Sequence, residues 1–162
     1  MSRLLNWAGH GWLALLARWY LGSVFLLACW HKIVHPEAFA VDVATYGILP
    51  LPLVNLMAIT LPWIELSAGV MLIAGLRARA AASMVFGMMV MFTVALAIAL
   101  AQGLDMACGC FASEAAQGSD AISGKTVLRD VGWLMLSVYV VLFDYSPIGF
   151  DRILARRKAV EA

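Results

Sequence analysis

Cys108 and Cys110 stand one residue apart in "MACGCFAS" (residues 106–113), and they are two of only three cysteines in the chain. A buried cysteine behaves as a small hydrophobe and needs no neighbour. These two lie instead between Asp105 and Glu114, in one of the few polar stretches of the sequence. At positions i and i+2 they can close a disulfide only as a tight, strained ring, and Gly109 between them relieves the crowding. A strained disulfide has a raised reduction potential and accepts electrons from other thiols. The spacing points to thiol–disulfide exchange, against two competing readings. One is an incidental structural pair. The other is a soft-metal site, because thiolates and thioethers select Cu(I). Met84, Met88 and Met91 do share one helical face, but a methionine stripe at helical spacing is far more often plain packing.

Charges set in apolar sequence form a second group. Glu65 follows "LPW" about halfway along a greasy run, where Pro62 is expected to kink a helix. An ionised group at that depth costs at least ~2.5 kcal/mol, so it must be paired, neutral or turned to a polar cavity. Arg18 is the expected partner, fixing helix register; a proton or quinone role for Glu65, Arg18 and Lys32 is the alternative. Arg129 and Asp130 head the last apolar run. There Arg129 either neutralises Asp130 or lies under the cysteine segment and lowers a thiol pKa. His31, Lys32 and His35 cluster where the first apolar run ends, and Lys32 at such a place can anchor a helix by snorkelling.

The elements that must position these groups are membrane spans. The chain of 162 residues is 64% hydrophobic and 13% charged, about half the charge of a soluble domain. Its net charge of +1 offers no basic footprint for nucleic acid. Four runs reach the roughly 20 residues that a helix needs to cross a bilayer. They are about Trp12–Trp30, Leu53–Leu76, Ala80–Ala101 and Ser123–Asp144. The sequence therefore predicts an all-α integral membrane protein, one four-transmembrane-helix bundle in contact with the lipid bilayer. "RAR" (Arg77–Arg79) makes a tight turn, and residues 31–52 and 102–122 are the two longer connections. Ser83 and Gly87 provide small-xxx-small spacing for close helix approach. "LLAC" (Leu26–Cys29) imitates a lipoprotein signal, but Arg18 interrupts the apolar core such a signal needs, so the first span is expected to be retained.

Arg3, Arg77, Arg79, Arg152, Arg156, Arg157 and Lys158 fall at the two termini and the short turn, against Lys32 and Lys125 in the long connections. The positive-inside rule then places both termini in the cytoplasm. The cysteine segment faces outward, into a compartment that permits disulfides.

"RWYLGSVFLLACWHK", "PEAFAVDVATYGILP", "LPWIELSAG", "CGCF" and "VLRD" occur in this order. Together they make the chain, from about Arg18 to Leu142, resemble the MauE/DoxX-like redox-associated membrane proteins. The resemblance implies a four-span protein of the bacterial inner membrane, acting beside a periplasmic thioredoxin-like partner. The MauE branch is tied to making methylamine dehydrogenase, whose small subunit carries many disulfides. The DoxX branch is tied to sulfur and quinone respiration, within an oxidoreductase complex. Lys32 matches the family pattern. Ala112 stands where glycine commonly follows "CGCF", and Trp30 and His31 stand where smaller residues are usual.

The reading that follows is an inner-membrane thiol–disulfide oxidoreductase. In it Cys108 and Cys110 exchange electrons with the partner and quinone is the plausible electron sink. Cys29 is the third thiol such a route could use. The competing reading is a non-catalytic anchor or assembly subunit whose cysteines lock a loop.

Overall fold

The computed structural model describes residues 10–103, 124–144 and 149, and among these no residue is in a strand. Five helices follow one another: α1 (His10–Val34), α2 (Pro36–Thr45), α3 (Leu51–Ala74), α4 (Ala78–Ala101) and α5 (Gly124–Phe143). Four of them, α1, α3, α4 and α5, are long and apolar enough to cross a membrane. The protein is an all-α integral membrane bundle. Because the spans alternate in direction, α2, the end of α4 and the start of α5 lie at one end. The α3–α4 turn, His10 and Asp144 lie at the other.

The sequence places the end of the first span at Trp30, where His31 and Lys32 look polar. The helix runs on to Val34 because Lys32 does not turn out to water. The connection that follows holds a helix of its own. Pro36 occupies the first turn of α2, where a missing N–H costs nothing, and Glu37 suits the positive end of the helix dipole. α2 buries Phe39 and Val43 against the bundle; α3 then begins on Leu51, with Pro50 before it and Pro52 in its first turn.

Close approach between spans occurs at Gly22 of α1 and Gly69 of α3, not at the spacing of Ser83 and Gly87. A Cβ on Gly22 would lie 2.6 Å from Ile73 Cγ1 and 3.0 Å from the Gly69 carbonyl oxygen. One on Gly69 would lie 3.2 Å from the Gly22 carbonyl oxygen. Gly87 has nothing within 4 Å of the same position, and Ser83 is exposed, its hydroxyl donating to the Arg79 carbonyl within α4. Small residues bring two helices together only on the face a partner covers, and in α4 that face is carried by Ala81, Val85 and Met88. Leu21, Phe25, Leu72 and Val140 complete the core between the spans.

The α3–α4 turn is set by Gly75, whose φ of +70° is left-handed and favours a residue without Cβ. The N–H groups of Gly75 and Leu76 both donate to the Met71 carbonyl, at 2.9 and 3.1 Å. The reversal therefore falls at Gly75–Arg77, slightly ahead of the predicted Arg77–Arg79.

Candidate functional site

Lys32 and Glu65 form a closely bonded buried ion pair. The Lys32 Nζ donates to Glu65 Oε1 at 2.8 Å and to Oε2 at 3.0 Å. The side chains are only 4% and 2% exposed. Helix geometry explains how residues at such different heights meet. Measured from the Gly22–Gly69 crossing, Lys32 lies about 15 Å up α1 and Glu65 only about 6 Å toward the same end on α3. Side chains lean toward the N-terminus of their own helix, and these helices are antiparallel. Lys32 therefore leans back into the bundle and Glu65 leans up to meet it. This is the reverse of the snorkelling expected for Lys32.

All four spans close around the pair. A cavity of about 20 Å³ beside it is lined by Phe25 and Ala28 of α1, Met89 and Phe92 of α4 and Trp133 of α5. That is room for about one water molecule, which needs roughly 10–15 Å³. The ammonium also lies over two aromatic faces, 4.9 Å from the Phe39 ring centre and 5.1 Å from that of Phe92. One ring comes from α2 and one from α4, so the short helix in the connection takes part in the site. Trp133 is held by its indole N–H, which donates to the Tyr20 hydroxyl at 3.3 Å.

Arg18 is not the partner of Glu65. It pairs with Asp144, Nη1 to Oδ1 at 3.8 Å, with both side chains buried. The expectation assumed that antiparallel neighbours pair their charges, and α1 and α3 are indeed neighbours. Arg18 nevertheless lies below the Gly22–Gly69 crossing while Glu65 lies above it. The guanidinium instead reaches the turn end, where Gly75 and Gly149 approach it so closely that a Cβ on Gly75 would lie 2.9 Å from Nη1.

Arg129 and Asp130 are together as the neutralising reading expects: Arg129 Nε and Nη2 both lie 3.3 Å from Asp130 Oδ1. Asp130 is fully buried and its Oδ2 has no hydrogen-bond partner. Arg129 is partly exposed and lies 4.8 Å over the Trp133 ring, which joins it to the lining of the central cavity. Cys108 and Cys110 lie outside the described residues, as do the basic residues of both termini. Cys29 is fully buried on α1, and its thiol donates to the Leu26 carbonyl at 3.2 Å.

Phe39, Phe92, Trp133 and Asp144 escape the sequence reading. Aromatic residues are unremarkable in apolar runs, and only the fold shows which of them face a cation. Asp144 carried a signal: it closes the fourth apolar run with no base nearby in sequence.

A family model described as methylamine utilisation protein MauE matches residues 10–143. No curated protein and no solved structure matches the chain.

Proposed function

This chain belongs to the methylamine utilisation protein MauE family, and from that premise we propose that it is a thiol–disulfide exchange protein of the bacterial inner membrane. In this reading it supports disulfide formation in a periplasmic enzyme such as methylamine dehydrogenase. What supports it is the Cys108-Gly109-Cys110 motif, set in the connection between two membrane spans of a MauE-family chain. The charge bias of the sequence argues for a periplasmic location of that connection. A thioredoxin-like protein is the partner. Its thiolate attacks one sulfur of the Cys108–Cys110 disulfide, the S–S bond breaks and a mixed disulfide forms. The partner's second thiolate resolves it. The partner leaves oxidised, and Cys108 and Cys110 take up two electrons and two protons as thiols; the reverse reaction passes through the same intermediate.

A quinone does not fit beside Glu65 and Lys32. Its ring and two carbonyl oxygens need several times the one-water space present, and Arg18, the third residue assigned to it, belongs to the other end of the bundle. A larger apolar cavity of about 350 Å³, bounded by Val43, Tyr46, Met57 and Ile98 among others, includes none of the three.

The test is trapping. The trap uses the reverse direction. In Cys110→Ser the Cys108 thiolate attacks the disulfide of the oxidised partner, one partner thiol leaves, and the mixed disulfide accumulates because Cys110 is not there to resolve it. Cys108→Ser accumulates little; the opposite order exchanges their roles. A membrane-impermeant thiol reagent applied from outside should label reduced Cys108 or Cys110, and not a cysteine placed at Ser2. If neither variant traps a partner and both still support enzyme maturation, the chain acts as a membrane anchor or assembly subunit.

A further inference from the structure

The Lys32–Glu65 pair is more than a register lock, because its surroundings provide for a second charge state. A structural ion pair needs only its two charges and satisfied hydrogen bonds. This one has two additional features: a one-water cavity against the pair and two aromatic rings facing the ammonium. The rings matter when Glu65 loses its charge. A lysine ammonium left alone in a bundle core is costly, but aromatic faces stabilise it without any anion. The water-sized space is of equal use, since a proton cannot reach a sealed carboxylate without a carrier.

We propose that Glu65 is a proton-exchange site of the bundle. Its carboxylate takes one proton from a water molecule in the central cavity, forming an O–H bond, while Lys32 remains charged against Phe39 and Phe92. Release returns the proton to water and restores the ion pair. Each uptake changes the charge of the site by one unit, with no oxidant or reductant involved. The groups that bear on Glu65 are few. From α1 they are Lys32 and Cys29, whose thiol lies within the field of both charges. From α2 Phe39 faces the ammonium, and Asp42 lies within the field of Lys32. α4 contributes Met89 and Phe92, and α5 contributes Trp133 with Arg129 over its ring. This proposal does not rest on the thiol reading, since it concerns groups that take no part in disulfide exchange.

Infrared difference spectroscopy of the full chain in lipid nanodiscs tests it. The chain has only ten acidic residues, so one buried carboxyl is resolvable. The wild type should show a protonated-carboxyl band that gains intensity as the solution is acidified across the range in which the protein stays folded. It should amount to one proton per chain and shift on transfer to D2O while the protein stays folded. Glu65→Gln should remove that band. Glu65→Asp should move its frequency instead, which secures the assignment if the glutamine variant does not fold. In Lys32→Met the ammonium is gone, and the band should stand at full intensity across the range. The proposal is overturned if no carboxyl band titrates in the wild type, if the titrating band survives Glu65→Gln, or if it fails to exchange in D2O.

Discussion

Two buried ion pairs take their cations from one helix. Arg18 and Lys32 lie about four turns apart on α1, hence on nearly the same face, yet their sites are built differently. Lys32 meets both oxygens of Glu65 at hydrogen-bond distance, enclosed by side chains from every span. Arg18 lies 3.8 Å from one oxygen of Asp144, with Gly75 and Gly149 close against its guanidinium. The difference follows from position. Halfway along α3, backbone polar groups are committed to the helix, so a charge there can be satisfied only by another side chain. At a helix end the last turn is open, and a turn glycine leaves room for a guanidinium there. The α2-end pair is a centre through which the four spans meet; the turn-end pair is a clasp that ties α1 to the end of α5.

The largest effect should come from removing one member of the centre. Lys32→Met takes the cation from Glu65 and forces it to fold protonated. At neutral pH that proton uptake, with the lost hydrogen bonds, should cost up to about 3–5 kcal/mol in reversible unfolding in detergent or nanodiscs, and less as the solution is acidified. Lys32→Met with Glu65→Leu should recover most of that loss, because a packed apolar pair replaces a satisfied ionic one at little cost. Asp144→Asn should cost less, on the order of 1–2 kcal/mol, because the contact it weakens is a longer ion pair at 3.8 Å and asparagine keeps an oxygen in its place. Equal losses for Lys32→Met and Asp144→Asn would erase the distinction between centre and clasp. Reversing Arg18 and Glu65 together should rescue nothing, because they do not touch.

The four spans were legible because a run of about 20 apolar residues leaves few structural options in a membrane. The buried acidic groups were legible for a related reason: a charge at that depth requires an explanation. Their partners were not. Arg18, Lys32 and Arg129 are equivalent as charges, and choosing among them needs the height at which α1 crosses α3. That height is set by Gly22 and Gly69, neither of which stands out from the thirteen glycines of the chain. α2 was hidden because its ten residues are too short to read as a span and its start rests on a proline. Cys108 and Cys110 remain the strongest chemical signal in the sequence, and lie outside the described residues.

An intermediate effect should separate the turn end from the rest of the bundle. Gly75→Ala places a Cβ on a residue with φ +70°, a strain of about 1–2 kcal/mol, and drives it against Gly149 and the Arg18 guanidinium. It should destabilise the protein while leaving the infrared signature of Glu65 unchanged, because Glu65 lies ten residues, about 15 Å, along α3 from the turn. Gly87→Ala, with open space around it, should stabilise α4 by about 1 kcal/mol or less through helix propensity. A Gly75→Ala variant as stable as the wild type would mean that the clasp is slack.

The smallest effect should appear at Asp42, which the α2 end has and the turn end lacks. Partial burial pushes its carboxyl above the ordinary 3.8, against the opposing pull of His31 and Lys32. The folded state therefore holds this proton more tightly than the unfolded chain does, and stability must rise as more protons bind. As pH falls through the raised folded value the penalty for an ionised Asp42 is relieved, and the relief is complete below about 3.8, where the unfolded chain is protonated as well. Asp42→Asn removes the titration without removing the side-chain volume. The stability difference between variant and wild type should then favour the variant at neutral pH and shrink as the solution is acidified toward that window. A difference that stays constant with pH would show that Asp42 is as well solvated in the fold as in the unfolded chain, and that the polar surroundings of Lys32 end at the pair itself.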